Sequence, residues 1–151
     1  LQVIRSLNNA EIDQAQHVMD ESENPAVKVV AQAVINDHDA SNEEINDLLD
    51  GELDLDDSPL NETIQEQTEE TQDMLGKVEG AQLDCQYLEQ QVEQHQVALD
   101  TIENDLMPDA QSADVKQFLT ASAPKLESHI QEARDAIAGL NGCSSRALSR
   151  N

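Results

Sequence analysis

Apolar positions recur along the chain at intervals of three and four residues, the period of amphipathic helices, and no stretch alternates as a strand would. In residues 8–23, "NNAEIDQAQHVMDESE", Ala15, Val18, Met19 and Ser22 keep that spacing. Asn8 with Glu11 three residues on reads as a capping pair, so a first helix is expected there. "SENPAV" restarts the chain, with Asn24 as a cap and Pro25 at the first position of a second helix. Val27, Val30, Ala31, Val34, His38, Ile45 and Leu48 form its stripe, and Asp50-Gly51 is its expected end. A polar third helix over about 61–78 carries only Ile64, Thr68, Leu75 and Val78 as a weak stripe. A fourth, about 82–107, places Leu88, Val92, His95, Leu99, Ile102 and Leu106 on one face. A fifth, about 113–139, does the same with Val115, Leu119, Ser122, Leu126, His129, Ala133 and Ile137.

Between the second and third helices, "GELDLDDSPLN" reads as an acidic crossover of extended reach. Its aspartates invite a calcium reading, but they lack the EF-hand order of acidic residues and glycine, so a solvated linker is the expectation. "SSRALSRN" reads as a frayed tail after the last helix. "NPAVKVVAQAV" and "SADVKQFLTAS" each open a helix after a helix and a short turn, a faint internal repeat. The pattern therefore predicts an all-α fold: a four-helix bundle of two helical hairpins, with the polar helix as a supplementary element. Residues 1–142 are expected to form a single domain and 143–151 a tail.

Composition narrows this picture. Aromatic residues are 1% of the chain, so the core has to be built from Leu, Ile, Val and Ala, which suits closely approaching helices better than sandwiched sheets. The formal net charge of -24 repels nucleic acid and anionic lipid headgroups, and both are excluded as expected partners. No run approaches the roughly 20 apolar residues that span a bilayer. No charged-then-apolar leader opens at Leu1, so the chain either never carried a signal peptide or is a mature form.

Three of the four histidines, His38, His95 and His129, sit on stripe positions of three different helices, where the pattern calls for Leu or Val. In a bundle of two hairpins with their tight turns at one end, depth is counted from the turns at about 1.5 Å per residue. His38 and Glu11 each lie roughly 13 residues, or about 20 Å, from the turn at Asn24-Pro25. His95 lies roughly 12 residues from the end of the fourth helix and His129 roughly 16 from the start of the fifth, about one helical turn apart. One layer could then hold Glu11, His38, His95 and His129, one residue per principal helix. Three imidazoles and a carboxylate are a competent ligand set for one transition-metal ion such as Zn, Cu, Fe or Ni. The alternative is a buried polar network without metal, in which every ring must satisfy a donor and an acceptor. Asp37 and Asp39 are then solvated faces or partners that orient an imidazole. His17 reads as a surface or boundary histidine, with an extra ligand as its alternative.

Cys85, near the start of the fourth helix, and Cys143, just past the end of the fifth, fall at the same end of such a bundle. They form either a disulfide, which would imply an oxidising compartment, or two separate thiols.

Three stretches, "NAEIDQAQHVMDESENPAVKVVAQAVINDHDASNEEINDL", "VEGAQLDCQYLEQQVEQHQVAL" and "DVKQFLTASAPKLESHIQEA", resemble the bacterial family of unknown function numbered four-one-four-two, long labelled "predicted outer membrane protein". The resemblance is carried by Ala10-Glu11-Ile12, Asn24-Pro25, Val27-Lys28, Asp37-His38, Gly80, Asp84, Tyr87, His95, Pro124 and His129. It implies a ferritin-like helical bundle, exported to the periplasm or outer envelope through a cleaved signal peptide, and no established activity. Glu11, His38, His95 and His129 match positions of the family pattern, whereas His17 stands where that pattern usually has an apolar residue. Leu83 in "LDCQY" replaces the more usual aromatic and thins the core there.

Two functions follow as expectations: a periplasmic metal-binding or metal-handling protein, or a non-enzymatic envelope-stress or protein-interaction module. Metal affinity that falls as histidines protonate below about pH 6.5 would favour the first. An enzyme is not expected. Di-iron bundles place Glu three residues before His, and here those positions are Ile35, Val92 and Leu126. No nucleophile elbow, zinc-protease helix or phosphate-cradling loop is present either.

Overall fold

The computed structural model describes residues 1–49 and 59–143. Among them every regular element is helical and there is no strand. The elements are α1 (Gln2–Glu21), α2 (Pro25–Leu48), α3 (Pro59–Gly76), α4 (Gly80–Thr101) and α5 (Ala113–Gly139). A π-helical turn, Ile102–Leu106, and a three-residue helical turn, Met107–Asp109, continue α4. The acidic crossover with Asp54, Asp56 and Asp57, the calcium reading attached to it, and the tail from Ser144 onward lie outside the described residues. The contacts divide the chain into two compact units, Leu1–Asp84 and Cys85–Asn151.

In the first unit α1 and α2 form a hairpin, and α3 packs against α1. Small residues let the first two helices approach: Ala10, Ala15 and Ala31 are buried among Ile12, Val18, Val27, Val30, Val34 and Ile45. Asn24 caps α2 as its sequence predicts, its side-chain oxygen accepting from the Ala26 N–H at 2.9 Å with Pro25 at the first helical position. The hairpin turn is tied down on its buried side. Ser22 Oγ accepts from the Asn24 N–H at 3.1 Å and donates to the Asp84 carboxylate at 2.5 Å, and both side chains are buried. α3 contributes Ile64 and Leu75 to this unit's core, which leaves its other faces to Glu and Gln.

The start of α1 differs from its expectation. The helix runs from Gln2 and Asn8 lies inside it, buried, so the Asn8–Glu11 pair is not a cap. Both side chains are committed to α2 instead.

In the second unit the core is Tyr87, Leu88, Val92, Leu99, Ile102, Phe118, Leu119, Leu126, Ile130, Ala133 and Ile137. Ser112 caps α5, accepting from the Asp114 N–H at 3.2 Å. Cys85 and Cys143 are joined in a disulfide, with 5.3 Å between their Cα atoms and a sequence separation of 58. The two-thiol alternative is thereby set aside. Chain-entropy reasoning puts the stabilisation from closing a loop of this length at about 4 kcal/mol. Among the described residues no helix is long and apolar enough to cross a membrane.

Candidate metal-ligating pairs

Each unit buries one pair of the residues singled out from the sequence. In the first, Glu11 on α1 and His38 on α2 are both 6% exposed, with His38 Nε2 and Glu11 Oε2 2.6 Å apart. The other ring nitrogen, Nδ1, lies 2.9 Å from Asn8 Oδ1. The Asn8 amide is oriented by its own donors, since its Nδ2 donates to Ser41 Oγ at 3.0 Å and to Asn42 Oδ1 at 2.9 Å. Asn42 in turn donates to the exposed Asn9 at 2.9 Å.

This chain of carboxamides fixes the chemistry of the ring. Asn8 Oδ1 can only accept, so the hydrogen is on Nδ1, and a neutral His38 presents its lone pair at Nε2 to a carboxylate oxygen that is itself an acceptor. The contact requires a proton between the two atoms, carried by the ring or by the carboxyl group. At 2.6 Å a proton fits, and a metal ion taking both atoms as ligands would replace that proton.

The second unit pairs imidazole with imidazole. His95 on α4 is fully buried and His129 on α5 is 2% exposed. His95 Nδ1 lies 2.8 Å from the backbone carbonyl of Gln91, one turn earlier, and must donate to it. Its Nε2 is therefore an acceptor, and His129 Nδ1 donates to it at 3.0 Å, the rings standing edge to face with centroids 4.9 Å apart. The direct contact corrects the depth count, which put these two residues about one turn apart. Helical structure after α4 continues to Asp109 rather than stopping near Met107, which lowers His95 relative to the turn.

His38, His95 and His129 are each buried, and each offers a ring nitrogen that could hold a metal ion. In two of them a hydrogen bond from Nδ1 to an oxygen leaves Nε2 as the lone-pair atom, the arrangement by which proteins orient an imidazole for a metal. Asp39 is exposed and Asp37 half-buried. His17 is half-buried on α1 and belongs to neither pair.

The residues that the hydrophobic pattern did not single out are carboxamides. Asn8, Gln14 and Gln91 are at most 4% exposed, and counting 7, 11, 14, 18 along α1 and 84, 88, 91, 95 along α4 does place both glutamines on the buried stripes.

An all-helical protein with buried histidine and carboxylate side chains is the class that this geometry defines. The family model for a domain of unknown function (DUF4142) matches residues 1–136, and the chain belongs to that family. No curated protein and no solved structure matches it.

Proposed function

We propose that this chain is an exported metal-binding or metal-handling protein of the periplasm or outer envelope. In this reading it is a non-enzymatic ferritin-like four-helix bundle, and Glu11, His38, His95 and His129 serve as ligands to a transition-metal ion, zinc, copper or iron. The observation that carries the reading is His38. Its Nδ1 faces Asn8, and its Nε2 lies 2.6 Å from a Glu11 carboxyl oxygen, so a buried imidazole and a buried carboxyl present ligand atoms side by side. The depth count along the helices supports grouping the four residues, and the burial of His95 and His129 with ring nitrogens that could hold a metal ion supports the second pair as ligands. Export is supported by the disulfide, which persists in oxidising compartments.

The test is metal content by elemental mass spectrometry on untagged protein, beside the double variant His38→Ala, His95→Ala. Near-stoichiometric zinc, copper or iron that disappears in the variant is the expected result. A wild type that is empty and takes up none of these metals on titration overturns the reading.

The second reading is a structural or partner-binding module with a buried polar network and no metal. The Asn8, Ser41 and Asn42 hydrogen bonds favour it, because a closed network of this kind specifies helix register whether or not an ion is present. Indifference of folding and oligomeric state to metal and chelator is its expected signature.

A further inference from the structure

α5 ends at Gly139, and the Leu140 N–H closes it by donating to the Ile137 carbonyl at 3.0 Å. Asn141 and Gly142 follow as an exposed turn before Cys143. Gly142 has a φ of +98°, a left-handed conformation that glycine adopts without steric cost. A Cβ built on Gly142 would meet nothing within 4 Å, so no packed neighbour holds the turn in place.

Asparagine is among the thermolabile residues, because the backbone nitrogen of the residue after it can attack the side-chain amide carbon and close a five-membered ring. Two things ordinarily prevent this. A side chain on the following residue crowds the approach, and regular structure fixes the backbone dihedrals and ties up the attacking N–H. Gly142 lacks the first obstacle, and its place beyond the end of α5 removes the second. The other asparagines among the described residues lie within helical segments, apart from Asn24, whose successor Pro25 has no N–H.

We propose that Asn141 is a site of spontaneous covalent modification, deamidating through a cyclic imide formed with Gly142. The Gly142 nitrogen bonds to Asn141 Cγ, the bond from Cγ to Nδ2 breaks, and the side-chain nitrogen leaves as ammonia with the proton that Gly142 gives up. Water is the co-reactant of the second step, adding to either carbonyl of the ring and opening it. Cleavage of the new bond to Cγ gives aspartate. Cleavage of the original peptide bond gives isoaspartate, in which the main chain runs through the side-chain carbonyl. No atom is oxidised or reduced. Either product places a new negative charge two residues before Cys143, and isoaspartate also adds a methylene to the main chain of the loop that the Cys85–Cys143 bond closes. The modification needs neither a metal nor a partner and stands apart from the function proposed above.

The test holds the purified chain, its disulfide intact, at physiological temperature and mildly alkaline pH. Samples taken over days are reduced, digested and sequenced by tandem mass spectrometry, and isoaspartate is counted by enzymatic methylation. The peptide containing Asn141 should gain the mass difference between an oxygen atom and an NH group and split into two isomers. Its rate should exceed that at Asn42 and Asn46 by about tenfold or more, since those lie within α2 and their helix must open first. Asn141→Gln keeps an amide but requires a larger ring, and should show no gain at that position. A parallel incubation in denaturant gives the rate of the unfolded chain. Conversion at Asn141 no faster than at Asn42 overturns the proposal, and so does an Asn141 that stays intact in the folded protein while the denatured chain is converted there.

Discussion

The two buried pairs solve the same problem in opposite ways. Between His95 and His129 the hydrogen bonds run from ring to ring to a backbone carbonyl, with His129 Nδ1 donating to His95 Nε2 and His95 Nδ1 donating to Gln91. Glu11 and His38 share one proton between a carboxyl oxygen and a ring nitrogen, because Nδ1 of His38 already donates to Asn8. The first pair joins a carboxyl to an imidazole and so can exchange a proton for a metal ion, whereas the second joins two imidazoles. The two units therefore differ in what a mutation or a metal should do to them.

The largest expected effect separates them directly. In metal-free protein His38→Leu removes the imidazole that faces the buried Glu11 carboxyl and should cost about 3 to 5 kcal/mol. Removing both, as Glu11→Leu with His38→Leu, should restore most of that loss. Urea denaturation measures both variants, and a His38→Leu cost under about 1 kcal/mol would mean that the pair carries no charge.

Removal of the disulfide by Cys85→Ser with Cys143→Ser should cost about 4 kcal/mol. Hydrogen exchange should report the loss mainly at the amides around His95 and His129 and spare those around His38. Uniform loss of protection across the chain would break the comparison, because the units would then unfold together.

His95→Leu comes next, at about 1 to 3 kcal/mol, since it strands only the His129 N–H. A cost matching that of His38→Leu would show that the second pair is charged as well.

Metal uptake sharpens the contrast further. A metal ion that takes Glu11 and His38 as ligands replaces the proton between them. Calorimetry in buffers of different ionisation enthalpy should report release of about one proton per ion at neutral pH, falling towards zero in Glu11→Gln.

The smallest effects are the helix caps. Asn24→Ala in the first unit and Ser112→Ala in the second should each cost about 1 kcal/mol in thermal denaturation.

The features legible in the sequence were those carried by local rules. α2 and α5 begin where a cap and a turn placed them, at Pro25 and Ala113, and the histidine stripes led to buried rings. The depth count also found the Glu11–His38 pair. The start of α1 was misplaced because Asn8 satisfies the capping pattern equally well as a sequence. Only the approach of Ser41 and Asn42 on another helix decides its role. The π turn after α4 was hidden for a different reason. Ile102 and Leu106 keep a four-residue interval whether the backbone bonds skip four residues or five. Gln14 and Gln91 were passed over because glutamine is ordinarily a surface residue, although their stripe positions already marked them.

The Cys85–Cys143 bond has a topological consequence as well as an energetic one. It makes residues 85 to 143 a covalent ring, with α4 and α5 as its two arms and the exposed turn at Gln111 and Ser112 as its far edge. A protease that cuts this turn opens the ring without dividing the molecule. The nicked protein differs from the intact one by the mass of one water, and it separates into two fragments only after reduction.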